Sequence, residues 1–158
     1  MKRKTKWFGV VGALLLLALS AHYSRGGTSR MDTAAQEQKI ERILDSYVKA
    51  VNGADADLLE SLFWTADPRF SEVENDRGKP LGAREFHEIS DWIRQHAKPG
   101  NKQRFYNTKV YFLTPEVAYS VSMRDELDVK KTSRVTLIYL KRGEEWRIIH
   151  GHFSYVPD

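Results

Sequence analysis

The chain has no cysteine. Disulfides, a thiolate nucleophile, a sulfur-ligated metal and a lipid anchor on a Cys side chain are all excluded. It also lacks a long hydrophobic run. The one apolar stretch, WFGVVGALLLLALSA from Trp7 to Ala21, falls short of the ~20 residues that comfortably span a bilayer. An excess of one charge sign is missing from most of the chain as well. Four of the 25 Lys and Arg residues (Lys2, Arg3, Lys4 and Lys6) sit at the start, which leaves 21 cations against 21 carboxylates in the remainder. The basic pI of 9.3 therefore reports the N-terminus and gives no support for a nucleic-acid partner. There is no internal repeat and no low-complexity tract.

What is present divides into three parts. Residues 1–21 combine a basic start, an apolar run and an A-L-S sequence at Ala18 to Ser20, the pattern of an export signal cleaved near Ala21 or His22. An uncleaved membrane anchor is the second reading of the same segment. Residues 22–34 are polar and carry Gly26 and Gly27, as a tether does. Residues 35–156 are long enough for one domain with one core. The expected location is outside the cytoplasm, periplasmic or secreted, with contact to the inner membrane only if the N-terminal segment stays attached.

Within the domain the hydrophobic period changes once. Ile40, Ile43, Leu44, Tyr47, Val48 and Val51 recur at helical steps, and Asn52-Gly53 stops that helix. Asp55 caps a second short helix with Leu58, Leu59, Leu62 and Phe63 inward. Phe70 to Glu74 reads as a short strand. Ala83 to Ala97 reads as a third helix with Phe86, Ile89 and Ile93 inward. After Pro99 the period becomes two, over Gln103–Leu113, Val117–Asp125, Thr132–Lys141 and Glu145–Ser154. Three helices around one short strand, then an antiparallel meander, make the fold class α+β.

Three stretches carry a resemblance. SYVKAVNGADADLLESLFW (Ser46 to Trp64), GKPLGAREF (Gly78 to Phe86) and above all SRVTLIYLKRGEEWRIIHGHFS (Ser133 to Ser154) resemble the opening, the loop before the third helix, and the closing hairpin of SnoaL-like domains of the nuclear transport factor two-like superfamily, of the DUF4440 kind. The resemblance implies a cone: three N-terminal helices packed on a curved, mostly antiparallel sheet. It also implies a pocket inside the cone and a homodimer through the outer surface of the sheet. It does not fix a reaction, because this fold carries cyclases, isomerases, dehydratases and non-catalytic domains.

Candidate functional residues follow from strand alternation. Trp146 is the largest apolar group on the last strand and should face the helices. Strict alternation then carries Ile148, His150 and His152 inward, and Arg147, Ile149, Gly151 and Phe153 outward. His150 and His152 would meet the pocket as proton carriers or hydrogen-bonding groups, or would serve the fold alone. A metal site needs a third ligand that the sequence does not single out, so no metal and no cofactor is expected. Arg134 and Thr136 share a strand face and should join the same pocket, with Glu72, Glu74 or Asp125 as the ion-pair partner. Tyr47, Trp64, Trp92, Tyr106 and Tyr119 are candidate aromatic walls, each also suited to an ordinary core.

No spacing selects the acid, base and tyrosine of a ketosteroid isomerase. The expected function is binding of a small organic molecule, anionic if Arg134 faces the cone, without catalysis. The alternatives are an acid–base enzyme using a pocket His, and a dimeric assembly module.

Overall fold

A computed structural model describes residues 32–74 and 80–156; the expected export signal or anchor (residues 1–21) and most of the expected tether lie outside the described residues. Helix α1 spans Thr33–Gly53, α2 spans Ala56–Ser61 and α3 spans Ala83–His96. Strand β1 is Ser71–Glu74; β2 (Gln103–Thr114), β3 (Val117–Glu126), β4 (Lys131–Arg142) and β5 (Glu145–Tyr155) form the meander. The sheet order is β1-β5-β4-β3-β2, antiparallel except where β1 runs parallel to β5. The α+β reading holds, with the three helices on one face of the sheet.

The helix ends follow the expected chemistry. Asp32 Oδ1 accepts from Ala35 N at 3.2 Å, and Asp55 Oδ1 accepts from Leu58 N at 2.9 Å. Ala54 ends α1 in the left-handed region, at φ 53°. Asn52 then clamps the helix end to the first long strand. Its Nδ2 donates to Gln103 O at 3.1 Å, and its Oδ1 accepts from Gln103 N at 2.8 Å.

Ile40, Leu44 and Tyr47 from α1 meet Phe63, Phe70 and Phe86 over Val135, Leu137, Tyr139, Trp146, Ile148 and Phe153 of the sheet. Trp146 and Ile148 face the helices as their alternation predicts. Trp146 Nε1 donates to Gln36 Oε1 on α1 at 2.8 Å, which satisfies its one polar atom.

The alternation does not continue past Ile148. Ile138 pairs with His150, but the next residue of β4, Tyr139, pairs with Ile148, so Ile149 is an extra residue on β5. This β-bulge exchanges the faces of everything after it. Gly151 and Phe153 turn inward, with Phe153 2% exposed, while His150 and His152 turn to the outer face. The expectation that both imidazoles face the helices is therefore overturned. So is the expectation that Ile149 and Phe153 provide the outer apolar surface.

Two physical causes converge at the bulge. The free edge of β5 changes partner there. Ile148 bonds to Leu62 O and Trp64 N at 2.8 and 2.9 Å, whereas His150 onward pairs with β1. The exchange also favours burial. Enclosing Phe153 gains about 2–3 kcal/mol of apolar transfer, whereas two enclosed imidazoles would each need a partner.

Candidate functional site

The inner face of the sheet is polar toward one end of β3. Ser120, Ser122 and Arg124 point to the helices beside Leu137, Val135 and Ser133, and all three are buried. Ser120 and Tyr139 share a hydroxyl hydrogen bond at 2.9 Å, and burial raises the Tyr139 phenol well above its usual range. Beyond Ser122 the floor opens into a cavity of about 210 Å³. Its polar walls are Arg124, Glu126, Glu72 and Gln103, with Tyr47 and Tyr155; Val51, Leu59, Phe86, Ile89 and Ile93 complete it.

Glu72 reaches this cavity because β1 lies between two partners. One edge pairs with β5, Glu72 opposite Gly151, and the other bonds to Leu81, with Leu81 N donating to Glu72 O at 2.7 Å. Alternation from buried Phe70 then turns Glu72 inward, where it is 6% exposed. Gly151 gives it room. A Cβ at Gly151 would lie 3.6 Å from Glu72 Cγ and 3.0 Å from the Phe153 ring.

Arg124 is the electrostatic centre. It is 5% exposed, its Nη2 donates to Glu126 Oε1 at 2.6 Å, and a long 3.4 Å contact reaches Ser133 Oγ. Its Cζ stands 4.5 Å from the centre of the Phe153 ring. Arg124 Nε and Gln103 Oε1 are buried without a hydrogen-bond partner among the described residues. One donor and one acceptor are thus unspent on neighbouring strands.

The residues expected at the site divide unequally. Tyr47 is in the cavity. Trp92 is 58% exposed, stacks on His96 and lines an adjoining apolar chamber of about 270 Å³. Arg134 and Thr136 are on the outer face, opposite Met123 and Val121, and Arg134 is exposed. Tyr106 and Tyr119 are also outside. Burial and the neighbouring Asp125 carboxylate raise the Tyr106 phenol, and Tyr119 stacks on Tyr111 at 4.9 Å. Trp64 lies against Arg147 and Arg142, at 4.2 and 4.8 Å, away from the cavity. Glu74 is placed by its backbone alone, opposite Phe153, and its side chain lies outside the described structure.

The histidines have partners of their own. His150 Nδ1 lies 2.8 Å from Ser71 Oγ, and His152 Nε2 lies 2.8 Å from Ser154 Oγ. Burial, then repulsion from His152, lowers the His150 pKa. No group of three His, Asp or Glu side chains that could hold a metal ion occurs among the described residues.

Sequence reasoning named Glu72 only as one of three ion-pair partners for Arg134, and missed Arg124, Glu126, Gln103 and Tyr155. The signal for Arg124 was its two-residue spacing from Ser120 and Ser122. It was obscured because Tyr119, Val121 and Met123, the more apolar set on β3, occupy the outer face.

The cone of helices over a curved sheet, with its cavity between the layers, has a family counterpart. Residues 40–158 match the SnoaL-like domain. The chain belongs to this family. Solved structures similar to this SnoaL-like domain agree on the fold. An NTF2-like protein of unknown function from Pseudomonas putida has a TM-score of 0.64 at 16% identity, covering 81% of this chain and 91% of its own. The association domain of the Caenorhabditis elegans kinase CaMKII has 0.62 at 19%, covering 77% and 96%. A hexachlorocyclohexane dehydrochlorinase has 0.62 at 12%, covering 80% and 89%. No curated protein matches the chain in sequence.

Proposed function

We propose that this SnoaL-like domain holds a small organic molecule in the cavity between the sheet and its helices, and binds it without transforming it. The observation that carries this reading is Arg124, a guanidinium 5% exposed with its Nε unspent, in the wall of a 210 Å³ cavity. Burying a cation costs several kcal/mol before pairing, and an apolar side chain would complete a core at less cost. A ligand-binding role accounts for retaining it. Binding is favoured over catalysis because neither β5 histidine lines the cavity, and the one cation among the described residues that line it is tied to Glu126.

Native mass spectrometry of the protein purified from producing cells tests the reading. The parent and Arg134→Ala should carry an adduct released on denaturation, and Arg124→Leu should lose it. Equal retention by Arg124→Leu would place the ligand elsewhere.

The acid–base alternative retains one specific support, the buried carboxylate of Glu72 in the cavity wall. A dehydrochlorinase and an association domain share the fold, so relatives support either direction. Conversion of the identified ligand by the parent but not by Glu72→Gln would establish catalysis in place of binding.

Two further elements belong to the proposal. Residues 1–21 direct the domain out of the cytoplasm, and N-terminal sequencing of exported material should begin near Ala21. The domain forms a homodimer through the outer sheet face, where Tyr111, Tyr119, Val121, Met123 and Ile138 make a partly exposed apolar strip. Sedimentation of a monomer at high micromolar concentration would remove that element.

A further inference from the structure

Exposed apolar side chains are not spread evenly over this domain. Among the described residues five large ones are exposed, and three of them, Trp92, Leu127 and Val129, stand at one end. Trp92 is near the C-terminus of α3, and Leu127 and Val129 belong to the turn between β3 and β4. The loop between α3 and β2 joins them. Its Asn101 lines the apolar chamber together with Trp92, and a small neighbouring cleft together with Val129.

Hydrogen bonds hold the two loops together. Leu127 N donates to Lys102 O at 3.0 Å, and Lys102 N donates to Asp128 Oδ2 at 2.8 Å. Gly100 N donates to Asn52 O at 3.0 Å, which ties the same loop to the end of α1. Trp92 is stacked on His96 at 5.5 Å. The apolar groups are thus presented by a fixed part of the fold. Turns favour polar residues and glycine, and a leucine and a valine left half exposed in one gain little from the core.

The same loops are basic, although the chain beyond its N-terminal segment is neutral. Residues 98–102 (KPGNK) and 127–131 (LDVKK) hold four lysines against one carboxylate, Asp128, which already accepts from Lys102 N. All four lysines are exposed. Lys98, Lys102 and Lys130 have no carboxylate partner among the described residues, and Lys131 lies over the Tyr155 ring at 4.5 Å. The adjoining acids Asp125 and Glu126 are engaged by Arg104 and Arg124, at 2.8 and 2.6 Å.

Apolar groups ringed by unpaired lysines fit an anionic lipid surface better than an acidic protein. Protein interfaces are depleted in lysine and enriched in arginine, and these two loops contain no arginine. A bilayer surface has the opposite preference. Each lysine beside its phosphates raises affinity about fivefold, and the headgroup layer accepts an indole ring. The lysine stems lie along the apolar groups while their ammonium heads reach the phosphates.

We infer that this end of the domain docks on an anionic lipid surface, with Trp92, Leu127 and Val129 in the headgroup layer and the four lysines on the lipid phosphates. The contact is independent of residues 1–21 and of the ligand proposed for the cavity.

Because the chain has no cysteine, a single introduced thiol reports each end of the full-length protein. Asn101→Cys lies between the two loops, and Leu113→Cys is an exposed site roughly 30 Å away along β2. Each is labelled with nitrobenzoxadiazole after a check that the urea midpoint matches the parent's. Vesicles of phosphatidylcholine with about one-third phosphatidylglycerol should shift the Asn101 label to the blue and open it to quenching by spin-labelled lipid. The Leu113 label should not respond. Pure phosphatidylcholine, or about 0.5 M NaCl, should remove most of the shift. Lys98→Gln with Lys130→Gln should raise the lipid concentration needed at least about tenfold. Leu127→Ser with Val129→Ser should abolish the quenching. No shift at Asn101, equal shifts of both labels, or an equal shift in pure phosphatidylcholine overturns the inference. So does a shift with soluble polyglutamate as large as with vesicles, which would assign the surface to an acidic polypeptide. A lipid-free shift that grows with protein concentration would assign it to a second copy and overturns it as well.

Discussion

The guanidinium of Arg124 stands 4.5 Å from the centre of the Phe153 ring, and both groups are almost fully enclosed. The contact joins β3 to β5 across β4 and gives the buried cation a π face in addition to its carboxylate partner. Arg124→Ala removes both and leaves Glu126 without its cation, at a cost of about 3 kcal/mol. Arg124→Met keeps part of the packing and should lose less. Urea denaturation of the two variants measures the difference, and equal losses would show that the stacked stem contributes nothing.

Ile149 has no partner on β4, and it offsets the alternation of the strand after it by one residue. Deleting Ile149 removes the extra residue and leaves a regular strand with the observed faces, His150 and His152 outward and Gly151 and Phe153 inward. Its cost is limited to the lost Ile149 side chain, about 2–3 kcal/mol. An alanine inserted between His150 and Gly151 instead carries His152 inward and Phe153 outward, and should cost more than about 3 kcal/mol. A deletion variant that loses more urea resistance than the insertion variant would contradict the role given to the bulge.

Gly151 owes its place to close approach. Because a Cβ there would come within 3.0 Å of Phe153 and 3.4 Å of Leu137, Gly151→Ala must move the Phe153 ring. The expected loss is about 1–2 kcal/mol, with a smaller cavity. Pairing the substitution with Phe153→Leu should recover part of the loss. Strict additivity of the two changes would argue that the contact is not the cause.

Protonation of His150 should destabilise the fold. Burial and its neighbour His152 hold its pKa below the ordinary 6.5. The unfolded chain regains the ordinary value, so below about pH 6.5 it binds the proton more readily than the folded state. The stability tied to neutral His150 is therefore complete above that pH and is lost as pH falls toward the folded value. Denaturation midpoints between about pH 5 and 8 should slope less for His150→Gln than for the parent. Matching slopes would assign the dependence to other groups.

Asp67 works on the acid side. Hydrogen bonds from Arg69, with a further one from Arg142, hold its carboxyl well below the ordinary carboxylate range. This contribution is present above the ordinary value of 3.8 and disappears as pH falls toward the folded one. Asp67→Asn should lower stability at neutral pH and flatten its decline under acid. An unchanged acid profile would show that this cluster contributes nothing.

Local patterns and the site were not equally legible in the sequence. The helices, their Asp32 and Asp55 caps, the meander and its turns were readable because each is set by periodicity and by residues close in the chain. The inward position of Trp146 and Ile148 was readable for the same reason. The faces of His150, His152 and Phe153 were not, since they depend on the extra residue at Ile149. That bulge arises where β5 exchanges its bonds to Leu62 and Trp64 for pairing with β1, more than 70 residues earlier in the chain. Arg134 and Arg124 illustrate the same division. Both are arginines on alternating strands, and composition cannot tell them apart. Only the assembled sheet, with Ser120, Ser122 and Ser133 on its concave face, places Arg124 inside and Arg134 in solvent.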